Sequence, residues 1–250
     1  MSAPLSVATP AGSTASHGSP TPAAVRISLR GALRTALSDM YFNSWRLAPA
    51  NLVWGAILIV ALFAGPLTVL GLALLVALAL PTAGLHRMGA LIARGEPASF
   101  SDFVDGMRRY ALSALAITVG AAALAVVLAT NVFVGLEAGN PVGWFISALA
   151  LWGLLALAML LVAFWPILVD PRRESLGFRA RLALAGLAVI GRPIRMLTLT
   201  AVVAAILLVS TVLFAALVMV SVAYVSVVSA RYVLPIVDQL EQQLAARRPA

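Results

Sequence analysis

Four long stretches of this chain contain no charged residue, and this feature constrains its fold more than any other. They cover residues 47–85, 110–136, 143–169 and 196–230. A hydrocarbon core about 30 Å thick requires about 20 apolar residues in a helix, so each stretch can cross a bilayer. Only 10% of the residues are charged, against about 25% in soluble domains. The sequence therefore predicts an all-α, polytopic transmembrane helix bundle.

The first stretch is too long for one crossing. As a single helix it would measure about 58 Å, and Gly65-Pro66 near its centre predicts a tight turn. We place spans on either side of that turn, at residues 47–64 and 67–85. The third and fourth spans are predicted at residues 110–134 and 144–169.

The last stretch allows two interpretations. Residues 196–234 are again long enough for two crossings, but no Gly or Pro interrupts them before Pro235. One hypothesis places two short spans at residues 197–214 and 217–234, which gives six spans. The alternative has five spans, the fifth a long tilted helix that projects into water.

The distribution of arginine favours six spans. All seventeen basic residues are Arg, and the segments that carry them alternate with segments that carry none. The positive-inside rule places Arg-bearing segments in the cytoplasm, and an even number of spans puts both termini there. We therefore predict a bacterial cytoplasmic-membrane protein with a cytoplasmic N-terminus. Since these Arg residues flank spans, the bilayer is the predicted partner and nucleic acid is not.

The two ends of the chain differ from the core. Residues 1–24 are rich in Ala, Ser, Thr, Pro and Gly, which predicts a disordered cytoplasmic tail. Residues 25–46 place Arg26, Arg30 and Arg34 on one helical face, which predicts an amphipathic helix on the membrane surface; an ordinary solvated helix is the alternative. The transmembrane domain then covers residues 47–235, and residues 236–250 form a short cytoplasmic tail.

One polar residue lies inside a predicted span. Asn51 is a turn inside the first span, and a buried amide there must find a hydrogen-bond partner within the bundle. Together with Trp54 it is a candidate intramembrane polar site, one wall of a binding site. The alternative is a helix-packing pair with an interfacial indole.

The connection at residues 94–109 is a candidate surface for docking a partner subunit. Ser99 or Ser101 can cap a short helix with an apolar stripe and two carboxylates near its N-terminus. Packing on the inner leaflet is the alternative. The candidate docking residues are Phe100, Asp102, Phe103, Asp105 and Arg108. The connection at residues 170–195 has a similar amphipathic pattern.

Signatures of catalysis are missing from the sequence. It has no cysteine, no phosphate-binding loop, no HExxH and no Gly-x-Ser-x-Gly, so we predict no enzymatic activity, no metal and no cofactor. The ionisable residues near span ends are interpreted as determinants of topology. These are His86, Arg87, Asp170 and Arg231.

The order of several short motifs resembles the YesL-like family of bacterial membrane proteins. The motifs are Asn51-Leu-Val-Trp54, a Gly-Pro turn, Pro81-Thr-Ala-Gly-Leu85, Phe100-Ser-Asp-Phe103 before Arg108, Phe164-Trp-Pro166 and Gly191-Arg-Pro193. The resemblance would cover roughly residues 35–235. It implies five or six helices and an accessory role near carbohydrate uptake systems. It implies no catalytic residues.

Two functions therefore compete. The first is an accessory or permease-like subunit linked to solute uptake, with carbohydrate as the solute class that the resemblance implies. It would associate with transport-system subunits or with further copies of itself. The second is a structural or regulatory membrane protein that organises or senses lipid and transports nothing.

Overall fold

The computed structural model describes residues 28–246, which form helices and no strands. The predicted tail at residues 1–24 lies outside the described residues. Within residues 28–246, six helical segments are long and apolar enough to cross a membrane. They are Leu29–Ala64, Val69–Arg94, Ala111–Glu137, Pro141–Leu168, Pro193–Val212 and Phe214–Ala246. The all-α fold with six spans is confirmed, and the chain has the architecture of a multi-pass membrane protein.

Ten α-helices make up the part of the chain that the structure describes. Two spans are composite, because the second combines α2 with α3 and the sixth combines α9, a π-helical segment at Leu217–Ser221, and α10. A 3-10 turn at Pro171–Arg173 precedes α7. The helices are α1 (Leu29–Ala64), α2 (Val69–Ala77), α3 (Ala79–Arg94), α4 (Phe100–Arg109), α5 (Ala111–Glu137), α6 (Pro141–Leu168), α7 (Phe178–Gly191), α8 (Pro193–Val212), α9 (Phe214–Ala216) and α10 (Val222–Ala246).

Helix α1 is continuous where the sequence predicts a boundary between residues 46 and 47. Two contacts with α10 show that it bends: the Tyr224 hydroxyl donates to the Leu33 carbonyl at 3.2 Å, and the Ala223 N–H donates to Asn51 Oδ1 at 2.7 Å. A straight helix would separate Leu33 from Asn51 by about 27 Å, which one tyrosine side chain cannot span. Pro49 lies inside α1 and lacks the N–H of a regular helix, which favours a local kink.

The predicted turn at Gly65-Pro66 is confirmed. Helix α1 ends at Ala64, and Gly65 has a φ of 87°, which a residue without Cβ adopts at little cost. Thr68 then caps α2, since its hydroxyl accepts from the Gly71 N–H at 3.0 Å and lies 2.9 Å from the Ala64 carbonyl.

The last stretch is interrupted although no Gly or Pro marks the place. Helix α8 ends at Val212, and the chain re-enters the bundle through α9 and the π-helical segment. Ser221 and Ser210 join the two limbs by a hydroxyl hydrogen bond of 2.6 Å. Helix α10 continues through residue 235, the predicted end of the last span, to Ala246. Most of the predicted C-terminal tail is therefore helical.

Glycines let the helices approach closely. A Cβ at Gly89 would lie 2.8 Å from the backbone of Ser226 in α10, and one at Gly84 would lie 2.6 Å from Phe103 in α4. Small residues at such positions allow backbones to pack inside a membrane. The sixth span, which contains α10, is central: 76% of its apolar part is buried inside the bundle, against 6% for α5.

Candidate functional site

An ion-pair cluster joins three helix ends at one face of the bundle. Arg94 of α3 pairs with Asp170 at 2.6 Å and with Asp238 of α10 at 2.5 Å. Arg173 of the 3-10 turn pairs with Asp170, with Asp238 at 2.5 Å and with Glu241 at 2.6 Å. We call these five residues the ion-pair cluster. It ties the ends of α3, α6 and α10 together.

The cluster is largely removed from solvent. The side chain of Asp170 is fully buried and that of Arg173 is 4% exposed. Burial disfavours the charged guanidinium, but the hydrogen bonds to Glu241 and Asp238 outweigh it and raise the pKa of Arg173. Every charge in the cluster has an opposite partner, as buried charges require.

Further ionic contacts hold the same face together. Glu174 pairs with Arg87 of α3 at 2.7 Å and with Arg109 of α4 at 2.8 Å. Arg231 of α10 pairs with Asp39 of α1 at 2.7 Å. Charged residues that the sequence analysis interpreted only as topology determinants therefore pair across helices. We call this side of the bundle the arginine-rich face.

A cavity of about 460 Å³ lies within the bundle. Five helices supply its walls, namely α1, α3, α6, α8 and α10. Most of the side chains that line it are aliphatic or aromatic. They are Trp54, Leu58, Thr82, His86, Leu161, Val162, Trp165, Val203, Leu207, Thr211, Val222, Val225 and Ser229. Its volume is within the range of about 300–1,000 Å³ for ligand-binding sites.

The hydroxyl groups of the cavity are already paired. Thr82 accepts from the Trp54 indole at 3.0 Å and donates to the Leu78 carbonyl at 2.7 Å. Thr211 and Ser229 each donate to a carbonyl one turn back in their own helices. These groups make the wall polar in places but need no ligand.

His86 is the exception among the lining residues. It is 5% exposed, and its ring stacks on Trp165 with centroids 5.7 Å apart. Its Nδ1 is buried and has no hydrogen-bond partner among the described residues. A buried polar atom without a partner costs free energy. One residue of the cavity wall, His86, therefore carries a buried nitrogen without a hydrogen-bond partner.

The structure separates Asn51 from Trp54. Trp54 lines the cavity, whereas the fully buried Asn51 donates to the Val218 carbonyl at 2.7 Å and accepts from the Ala223 N–H at 2.7 Å. These two backbone groups belong to the π-helical segment and to the first turn of α10. Asn51 thus packs helices, which was the alternative interpretation, and only Trp54 belongs to a possible binding site.

The candidate docking residues of α4 differ in how accessible their side chains are. Phe103 is 1% exposed and packs on α3, so it cannot contact a partner, and the prediction is wrong for this residue. Asp102 accepts from the Ser99 N–H at 2.8 Å in a capping box. Phe100 is 45% exposed, and Asp105 and Arg108 are exposed as well. Docking through these three residues stays a prediction.

The sequence analysis did not single out the ion-pair cluster or the cavity. The sequence did not mark His86, because Arg87 follows it directly and the predicted span ended at residue 85, whereas α3 continues to Arg94, about 12 Å beyond His86. No group of His, Asp or Glu among residues 28–246 is arranged to hold a metal ion. Comparison with protein families, curated proteins and solved structures found no match to this chain. The resemblance to the YesL-like family stays a hypothesis.

Proposed function

We propose that this protein is a permease-like membrane subunit that binds a solute in the cavity. The carrying observation is the position of the ion-pair cluster relative to that cavity. Arg94 lies about 12 Å beyond His86 along α3, and Asp170 follows Trp165 at the end of α6. Helices α3 and α10 line the cavity and carry residues of the cluster, and Asp170 lies two residues beyond the end of α6, which also lines the cavity.

The cavity and the cluster together support alternating access. Thr211 is exposed at the end of α8 opposite to the arginine-rich face, while His86 is buried. A solute would enter near Thr211, and the paired charges would block its exit at the arginine-rich face. Opening that face requires separation of ion pairs, which a partner or the solute would drive.

We place the arginine-rich face in the cytoplasm of a bacterial cell. The described arginines lie at that end of the bundle, and Glu137 is the charged residue of the opposite connection. The positive-inside rule then gives a cytoplasmic N-terminus. The proposed role is binding and passage of a solute rather than catalysis.

The solute bound in this cavity is distinct from the carbohydrate that the family resemblance suggests. Carbohydrate is suggested by the family resemblance, yet sugars present many hydroxyl groups that need partners. The cavity wall is mostly aliphatic and its hydroxyls are paired internally. A link to carbohydrate uptake would therefore pass through a partner subunit rather than through this cavity.

Cysteine accessibility tests the permease-like role, because the chain contains no cysteine of its own. Leu207 lines the cavity, whereas its neighbour Leu208 is 69% exposed on the outside of the bundle. We expect Leu207→Cys to react with a membrane-impermeant methanethiosulfonate at least about tenfold faster than Leu208→Cys, since a thiolate forms in a wetted cavity and not in lipid. The reagent should act only from the side of Glu137.

Right-side-out and inside-out vesicles expose the two faces of the bundle to the reagent separately. Equal rates at the two positions, or no reaction at Leu207→Cys from either side, would contradict the proposal.

A second candidate function is that of an accessory subunit docked through α4. Phe100, Asp105 and Arg108 are exposed on the arginine-rich face without contributing to the core. Substituting Phe100→Ala together with Asp105→Asn should abolish co-purification of a solute-uptake permease or its ATPase from the native host. The matched control, Ser101→Ala on the same helix, should retain it. Recovery of the same subunits with the double variant, or of a homo-oligomer alone, would exclude this docking surface.

The lipid-organising alternative has its own support in α1. Leu37, Tyr41, Phe42 and Trp45 are exposed there, and Arg30 and Arg34 are exposed close by. Aromatic and basic side chains of this kind anchor helices at the headgroup level. This surface is compatible with either function.

A further inference from the structure

We infer that the arginines around Glu174 bind the headgroup of an anionic phospholipid. This lipid lies beside the bundle and is distinct from the solute proposed for the cavity. Three features of the fold meet at this place: an excess of positive charge, a guanidinium that a headgroup can reach, and the beginning of a helix that is exposed along its length.

Three arginines of different helices surround one carboxylate. Glu174 pairs with Arg87 of α3 at 2.7 Å and with Arg109 of α4 at 2.8 Å. The Arg181 guanidinium of α7 donates to the carbonyls of Leu168 and Glu174, at 2.6 and 2.9 Å, and makes no ion pair in the described structure. We call the three arginines and Glu174 the Glu174 site. The ion-pair cluster, by contrast, pairs two arginines with three carboxylates.

The positive charge of the Glu174 site is not compensated within residues 28–246. Three guanidinium groups and one carboxylate leave a formal charge of +2. Asp102 and Asp105 of α4 form no ion pair with Arg109, and Asp102 instead accepts from the backbone in its capping box. Arg87 and Arg181 are 8% and 7% exposed, and a buried charge without a counter-charge is costly. An additional anion beside the site would therefore stabilise it.

Arg109 is the arginine of the site that a headgroup can reach. Its side chain is 49% exposed, and that of Glu174 is 25% exposed. A guanidinium has five N–H donors in a planar fork, so the ion pair with Glu174 leaves donors for a phosphate oxygen. Arg87 and Arg181 need no contact with the lipid, because their charges attract an anion over several ångströms.

The surroundings of Arg109 favour a phospholipid over a soluble anion. Helix α5 begins two residues later, and only 6% of its apolar part is buried inside the bundle. Leu112, in its first turn, is 85% exposed. A lipid with its phosphate at Arg109 can therefore extend its acyl chains along α5. A zwitterionic headgroup brings a cation of its own towards the arginines, so the site selects a headgroup with net negative charge.

A fluorophore beside Arg109 tests this site in the full-length protein. The chain contains no cysteine, so Leu112→Cys places a single bimane label at the start of α5. Nanodiscs of phosphatidylcholine receive increasing fractions of dibrominated phosphatidylglycerol, or of dibrominated phosphatidylcholine as the reference quencher. We expect half-maximal quenching at a mole fraction at least about fivefold lower for the anionic lipid, the ratio that one arginine near a membrane surface gives.

Substitutions within α4 and at Glu174 separate the causes of this preference. Arg109→Gln should reduce it to less than about twofold, and the half-exposed position tolerates the change. Arg108→Gln is the matched control and should keep the preference, since Arg108 is exposed on the same helix but makes no ion pair with Glu174. Glu174→Gln removes the carboxylate that competes with the lipid, so the folded variant should show a stronger preference than the unchanged protein.

A second label tests whether the effect is local. Ile194 is 78% exposed in the first turn of α8, at the same arginine-rich face. Arg109→Gln should leave the quenching of a bimane at Ile194→Cys unchanged, because a bound headgroup at Arg109 does not contribute there. A general attraction of anionic lipid to the face would lower both signals together.

Several results would overturn the inference. They are equal quenching by the two lipids at Leu112→Cys, an equal loss at both labels in Arg109→Gln, and an unchanged preference in folded Glu174→Gln. Inorganic phosphate, with the ionic strength matched by sodium chloride, should leave the preference intact. Its loss under phosphate would assign the site to a soluble phosphate compound instead of a lipid. All these measurements are independent of the cavity, so the proposed function is tested separately.

Discussion

Arg173→Met lowers the free energy of unfolding by about 3–5 kcal/mol, the cost of breaking a buried ion pair by removal of one partner. Arg173 contacts three carboxylates, those of Asp170, Asp238 and Glu241. After the substitution Arg94 still pairs with Asp170 and Asp238, but Glu241 loses its arginine partner and the fully buried Asp170 loses one of its two. Unfolding of the purified protein in mixed micelles by increasing SDS fraction measures the change.

The neighbouring arginine provides a matched control for this prediction. Arg172 is exposed, while Arg173 is buried. Arg172→Met removes the same charge from the same turn and should change the free energy of unfolding by no more than about 0.5 kcal/mol. A similar loss in both variants would mean that total charge, rather than the ion-pair cluster, stabilises this face.

The ion-pair cluster is the proposed barrier at the arginine-rich face, so Arg173→Met can also be tested by access to the cavity. With the cluster weakened, Leu207→Cys should become reactive from the arginine-rich face as well as from the opposite side. Unchanged one-sided reactivity in a folded Arg173→Met protein would assign the cluster a purely structural role.

Asn51→Leu is expected to destabilise the protein by about 2–4 kcal/mol. The substitution keeps the volume of the side chain but leaves the Val218 carbonyl and the Ala223 N–H without their partner. Each buried backbone group left unpaired costs about 1–3 kcal/mol, and water cannot replace the amide inside a bilayer. Amide hydrogen exchange should accelerate at the π-helical segment and the first turn of α10.

A second asparagine of the same helix serves as control. Asn43 donates to the Asp39 carbonyl within α1 and makes no hydrogen bond to another helix in the described structure. Asn43→Leu should leave exchange in α10 unchanged. If Asn51→Leu also left exchange there unchanged, the π-helical segment would be stable without the amide.

Much of the fold could be predicted because its determinants are local. Hydropathy and the length needed to cross a bilayer predict the charge-free spans, and the steric freedom of Gly65 predicts the first turn. The interruption between α8 and α10 carries no such local signal. It depends on Asn51 and on the Ser210–Ser221 contact, which join residues far apart in the chain.

The environment of the candidate intramembrane site likewise could not be predicted from the local sequence pattern. Asn51 and Trp54 are three residues apart, and helical spacing places them on neighbouring faces. The structure turns one towards the π-helical segment and the other towards the cavity. The α4 pattern likewise predicted a helix with a capping residue, but could not tell that Phe103 would pack inward on Gly84.

By itself the sequence determined that this protein is a bundle of membrane-spanning helices, how many spans it has, and which of their ends carry arginine. These properties follow from transfer free energies and helix geometry, which act residue by residue. Only the tertiary structure decided that Arg173 is buried while Arg172 is exposed, that Arg94 meets an aspartate 76 residues away, and that His86 faces a cavity. Such pairings are selected by the packing of whole helices, because burial of a charge or an amide is tolerated only where another element supplies its partner.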